Sequence, residues 1–125
     1  NAVGAATSGV SVEVEAMIRP GEEGGGYLVH AVNERFEFDE FEDALAKAVE
    51  VTEAYAVQLV KKQNLETSYI KYECRNMYLD EEQIIYRDLP VAEDGTIEIG
   101  DDSDYGKYLE TRIKVQVGGK IFANV

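Results

Sequence analysis

The sequence is short of sulfur, imidazole and positive charge, and each shortage closes off a class of function. Its one cysteine, Cys74, cannot form an internal disulfide. A lone cysteine fits a reducing cytoplasm, and the chain is expected to be cytoplasmic. Its one histidine, His30, and that one cysteine fall short of the ligand set of a zinc site. His30 also lacks a neighbouring Cys, Ser or second His with which to build a triad. Basic residues number 12 against 25 acidic ones, a net charge of −13. Such a surface repels a phosphate backbone, which speaks against a nucleic-acid partner. Apolar runs are short, residues 54–60 being typical, whereas a membrane span needs about 20 apolar residues. No basic stretch followed by an apolar one marks a signal peptide.

What is present suffices for a core. The 125 residues are 45% hydrophobic with 12 aromatics, enough for one domain. Residues 1–9 are rich in Ala and Gly and read as the end of a tightly packed helix belonging to an upstream domain, with Gly9 as its stop. Residues 10–125 then form the domain proper, cut from a larger protein. Residues 10–19 alternate, with Val10, Val12, Val14, Ala16 and Ile18 on one side, which is a half-buried strand. Pro20 ends it, and a Gly-rich stretch through Gly24-Gly25-Gly26 links it to a second strand over 27–32. That glycine turn has neither the Lys-Ser/Thr of a P-loop nor the spacing of a dinucleotide fingerprint.

Residues 39–63 predict a long helix. Phe41, Leu45, Ala48, Val49, Thr52, Ala56, Leu59 and Val60 recur every three or four residues and make one apolar stripe. Asp39 with Glu42 is placed as a capping box. Glu40, Glu42 and Asp43 at the start, and Lys61 and Lys62 at the end, suit the helix dipole. Asn64 is the expected terminator. Residues 69–78 and 108–117 alternate as two further long strands, the first with Ile70, Tyr72 and Cys74 on one side. Between them, 83–87 and 96–99 predict a small secondary hairpin. Gly118-Gly119 reads as a turn, and 120–125 as a brief edge segment. The expectation is an α+β domain: an antiparallel sheet of about four main strands in ββαββ order, one long helix on one face, and a small hairpin insertion.

No residue reads as catalytic, cofactor-binding or metal-binding. Cys74, among Glu and Tyr in a strand, reads as a small buried side chain. Asp101, Asp102 and Asp104 lack the spacing of a calcium loop and read as a solvated turn. The tyrosines of the second half (Tyr69, Tyr72, Tyr78, Tyr86, Tyr105, Tyr108) either form an interface patch or straddle sheet and solvent.

The run Asn1-Ala2-Val3-Gly4-Ala5-Ala6 with the strand after it resembles the segment closing the actin-like ATPase region of the hydantoinase/oxoprolinase family. Ile18-Arg19-Pro20, Gly25-Gly26-Tyr27-Leu28-Val29-His30, Phe41-Glu42-Asp43-Ala44-Leu45 and Leu109-Glu110-Thr111-Arg112-Ile113-Lys114-Val115 are similar to the family's segments beyond that region; residues 80–104 match none of its features. The resemblance implies a non-catalytic C-terminal accessory domain of an ATP-dependent cyclic-amide hydrolase. Its partner would be the upstream ATPase region or another subunit, and self-association is open. It also implies that Gly4 marks a close helix contact near the parent's nucleotide cleft. The alternative is a stand-alone protein-interaction module that presents its tyrosine-bearing strands.

Burying the helix stripe contributes about 1.5–3 kcal/mol per large side chain. A charge at Leu45, Leu59 or Ile113 should therefore unfold the domain. Leu45→Asp is expected to abolish the cooperative melt followed by circular dichroism; an unchanged transition would place Leu45 outside the core.

Overall fold

The computed structural model describes residues 10–22, 25–101 and 104–121. The helix remnant expected at 1–9, with Gly4, lies outside these residues, as do Gly24, Asp102 and the end of the expected edge segment. The described elements run β1 (Val10–Pro20), β2 (Tyr27–Ala31), β3 (Glu34–Phe38), α1 (Phe41–Lys61), β4 (Glu66–Asp80), β5 (Gln83–Leu89) and β6 (Lys107–Lys120). They form one six-stranded sheet, ordered β3-β2-β1-β6-β4-β5, and every neighbouring pair is antiparallel.

This overturns the expectation of about four main strands in ββαββ order with a hairpin insertion. Three strands precede the helix and three come after it. β3 is the first addition. Val32 and Asn33 both take positive φ, 50° and 65°, and fold the chain tightly back onto β2. β5 is the second. It is a full strand of the main sheet, paired with β4 from Cys74↔Leu89 to Asp80↔Gln83. Its expected partner, 96–99, meets the chain elsewhere through a single bridge, Val91↔Ile97. Gly118 and Gly119 do not turn the chain: they are interior to β6, paired with Ser11 and Val10 on one side and Tyr69 and Thr67 on the other.

The registers build apolar rows beneath the helix. One runs Ala31–Ala16–Ile113–Cys74–Leu89 across five strands, and all five side chains are buried. Its neighbour starts Phe36–Val29–Ile18 and becomes polar at Thr111 and Asn76, both fully buried. The polar pair is satisfied internally. Thr111 Oγ1 donates to Asn76 Oδ1, Asn76 Nδ2 donates to Tyr78 Oη at 2.9 Å, and Tyr108 Oη lies 2.7 Å from Thr111 Oγ1 and 3.2 Å from the Ile18 carbonyl. The single Thr111 proton is taken by Asn76, so the one Tyr108 proton goes to Thr111 Oγ1 or to the Ile18 carbonyl, not to both. Two slips of register, at Ser68 and Leu109, bend the long strands, and the second sits beside Tyr78 and Tyr108.

The helix buries Ala44, Leu45, Ala48, Val49, Thr52, Ala56 and Val60. It lies over β1, β2 and β6. Leu59, expected in the stripe, is half-buried at its margin. The start is also shifted from the expected capping box: Glu40 occupies the N-cap and makes no side-chain cap bond. Aromatic packing fixes this end instead, with the Phe41 ring 5.2 Å from Tyr27 and 5.7 Å from Tyr108. Asn64, at φ 62°, turns the chain out of the helix. The helix touches only the near side of β4, as in the hydrogen bond from Tyr72 to Glu53, and does not cover β5. There the cover is the loop 90–101, whose Val91, Ile97 and Ile99 pack on the core.

The close approach of the helix end depends on Gly119. A Cβ there would lie 2.8 Å from Val60 Cγ1 and 3.2 Å from Leu65 Cβ, and Val60 is fully buried and cannot move aside. At Gly118 the obstacle is the ring of Tyr69, a side chain 40% exposed and free to swing. Gly119→Ala should cost about 1–3 kcal/mol in urea unfolding, clearly more than Gly118→Ala; the reverse order would refute this seating of the helix.

Candidate functional site

The loop 90–101 meets the helix at one well-defined point. Gly95, at φ 91°, sits where a Cβ would be 3.2 Å from Val49 Cγ1 and 3.3 Å from the Tyr72 ring. Asp94 shapes the loop by accepting the Thr96 N–H at 2.9 Å, a bond that also holds its carboxyl below the usual range. From the helix side Glu53 accepts a hydrogen bond from the Tyr72 hydroxyl. Burial first, then this bond and the nearby Glu53 and Asp94 charges, raises the Tyr72 pKa.

Between helix and loop lies an open cleft of about 530 Å³. Leu45, Val49, Ile97 and Ile99 line its apolar part, and Glu42, Glu50, Glu53 and Asp94 are its charged groups. Two cations stand near, Lys47, 3.1 Å from Glu50, and Arg87, whose guanidinium lies against Gly100 at the end of the loop. The pattern extends beyond the lining. Residues 39–54 and 90–101 together hold ten carboxylates and one lysine, so nine of the thirteen net negative charges fall in two segments that the fold sets side by side. Among the described residues no group of three His, Cys, Asp or Glu is placed to hold a metal ion. The carboxylates are spread along a wall.

The opposite sheet face is of another kind. Its central cleft, about 390 Å³, sets Arg75, Arg112 and Lys114 among Glu15, Glu73 and Asp88, three charges of each sign. Arg75 pairs with Asp88 at 2.8 Å, Arg112 with Glu110 at 2.7 Å and Lys114 with Glu73 at 3.8 Å. Exposed pairs of this sort contribute little stability, but they leave the face electrically balanced.

The residues weighed from sequence are scattered. His30 is half-buried on the open face of β2, opposite Met17 and Arg35. Cys74 is buried under the helix side, and burial, with a smaller contribution from Asp88, pushes its thiol up to about 12. Asp101 and Asp104 are exposed. Glu40 and Asp43 flank the cleft start without lining it, while Glu42 lines it. Gly25 and Gly26 turn the chain at positive φ. The tyrosines form no single patch. Tyr72, Tyr78 and Tyr108 face the helix side, Tyr105 stacks on Tyr78 at 5.3 Å, and Tyr69 and Tyr86 stand exposed on the other face. The acidic cleft was missed from sequence because its two walls lie about forty residues apart. The excess of acid over base in each segment was the available signal.

No family model matches the chain, and no curated protein or solved structure matches it. The resemblance to the hydantoinase/oxoprolinase family therefore rests on the quoted residues alone. Among the described residues no helix is long and apolar enough to cross a membrane.

Cys74, Tyr72 and Tyr108 all hold their protons more tightly in the fold, burial being the leading cause for each. The unfolded chain releases those protons first as pH rises. Stability from these groups is thus full below the unfolded thiol pKa, near 9, and falls as pH climbs toward 12. At pH 8 the native thiol should react with a disulfide reagent at least about 100-fold more slowly than in denaturant. A native rate near the unfolded one would contradict the buried position of Cys74.

Proposed function

We propose that this chain is a protein-binding accessory domain, and that the cleft between α1 and the loop 90–101 takes a basic segment of its partner. The observation that carries this reading is the set of four carboxylates, Glu42, Glu50, Glu53 and Asp94, lining one cleft between two segments of net charge −9, on a chain whose other face is balanced. Lys or Arg side chains on the partner would answer Glu42, Glu50 and Asp94, and one or two apolar side chains would cover Ile97 and Ile99. Such complementarity speeds encounter and rejects acidic partners more than it adds raw affinity. The family resemblance supports placing the basic segment on an actin-like ATPase region of the parent, or on a partner subunit, in the cytoplasm. On that reading the hydrolysis of cyclic amides belongs to the parent, and the domain itself neither binds nor hydrolyses ATP. The same cleft would serve a stand-alone interaction module.

Titrating the chain with an amphipathic Lys/Leu peptide tests the reading. Binding is expected at low salt and should weaken at least about tenfold between 50 and 300 mM NaCl, as screening shortens the reach of the charges. Glu42→Lys combined with Glu50→Lys changes two exposed side chains and should abolish it. Equal binding by that variant, or ATP turnover by the chain alone, would sink the proposal.

A further inference from the structure

The two edges of the sheet differ. β3 is five residues long, ERFEF, and carries Glu34, Arg35 and Glu37. Charges at this density discourage a further strand from adding. β5 reads QIIYRDL and has no Lys, no Pro and no bulge. Of its two charges, Asp88 is held by Arg75 at 2.8 Å, and Arg87 faces the helix side with its guanidinium over the Tyr105 ring. Ile84 and Tyr86 are 47% and 56% exposed, on the face away from the helix.

The hairpin fixes which backbone groups are free. Glu81 and Glu82 form a two-residue turn between the partnered residues Asp80 and Gln83. In such a hairpin the flanking pair exchanges both backbone hydrogen bonds, and bonded and non-bonded pairs then alternate. Gln83, Ile85, Arg87 and Leu89 therefore turn their N–H and C=O groups toward β4. Ile84, Tyr86 and Asp88 turn theirs outward. Among the described residues no strand and no loop hydrogen bond meets them.

We infer that β5 accepts an extended segment of a partner protein as a seventh strand of the sheet. The chemistry of this edge specifies the segment. Alternate apolar, β-branched or aromatic residues would lie beside Ile84 and Tyr86, since cross-strand neighbours of that kind stabilise one another. A Lys or Arg would meet the acidic turn, Asp80-Glu81-Glu82. A second copy of this chain fits poorly, because pairing β5 with itself brings together two molecules of net charge −13. Backbone bonds to three consecutive outward positions give the affinity, and the two exposed side chains give selectivity. This inference is independent of the acidic cleft.

The probe is the capped peptide Lys-Val-Thr-Val-Thr-Val-Lys, added to the 125-residue chain. Amide exchange of wild-type Ile84, Tyr86 and Asp88, read by NMR, should slow at least tenfold on binding, with no effect at Glu42 or Glu50. Tyr86→Pro removes one outward N–H at a position where an edge strand tolerates proline; it should lose the peptide while keeping the wild-type circular dichroism spectrum. Tyr86→Thr keeps the N–H and should retain most of the binding. Exchange unchanged at all three amides overturns the inference, whatever the variants do. So does peptide binding mapped to the α1 cleft, or a concentration-dependent dimer in sedimentation that Tyr86→Pro dissolves, which would give the edge to a second copy.

Discussion

Every other part of this fold depends on the insertion of β6 between β1 and β4. The last described strand of the chain is the inner strand of the sheet. Without it, β1–β2–β3 is one antiparallel meander and β4–β5 is a separate hairpin, with no strand pairing between them. A lone hairpin is marginal in water, and three strands need a covered face. β6 supplies Ile113, Val115 and Val117 to the core from the middle, and the helix lies over it as well as over β1. Its register is fixed in several ways. A slip of one residue would turn those three side chains out to solvent. It would also part Thr111 from Asn76, leaving the buried Asn76 Oδ1 without its donor, at a cost of about 1–3 kcal/mol. Gly118 and Gly119 add a steric condition, because the Tyr69 ring and the Val60 side chain each occupy the space of a missing Cβ.

The same arrangement sorts charge. The sheet face away from the helix carries side chains in cross-strand rows, such as Glu15–Lys114–Glu73, where opposite signs stand directly across from each other. The next row sets Arg112 across from Arg75, and there Glu110 and Asp88 supply the neutralising charges. No such constraint acts on the helix and loop layer. A helix start favours carboxylates, and the loop turns use Asp94 to bond their own backbone. Local structural needs thus account for several of the acids one by one. They do not account for the excess of acid over base in these two segments, which is the charge that the proposed basic partner would answer.

Periodicity made the long elements readable. α1, β1 and β6 each repeat their pattern for ten residues or more, and side-chain spacing over that length leaves little choice. Outside the four-strand reading, β3 was missed and the strand at 83–87 was given the wrong partner, and in both cases the turn hid the true pairing. β2 and β3 are joined by Val32-Asn33, yet valine is a poor residue for positive φ. β4 and β5 are joined by Glu81-Glu82, two residues that signal no hairpin, while Leu89-Pro90 and Asp94-Gly95 farther on are strong turn signals and drew the pairing to the wrong segment. The helix start was displaced for a related reason. Asp39 has the better capping chemistry, but the contacts of the Phe41 ring with Tyr27 and Tyr108 decide where the helix begins.

The two halves of the sheet are covered by different kinds of structure, and this bears on where binding is placed. Over β1, β2 and β6 the cover is a helix of 21 residues whose buried stripe interlocks with three strands. Reshaping that half means breaking core packing. Over β4 and β5 the cover is the loop 90–101, held by Val91, Ile97 and Ile99, by the seat of Gly95 on Tyr72, and by a few local hydrogen bonds. Loops of this kind open at lower free energy than packed helices. Both the acidic cleft and the unpaired edge of β5 belong to this second half. Under the proposed reading, this asymmetry would let one half keep the domain folded while the other adjusts to a partner. It also explains why the tyrosines are divided: Tyr72 and Tyr108 commit their hydroxyls to internal hydrogen bonds, which leaves Tyr86, at the free edge, as the aromatic exposed to an incoming strand.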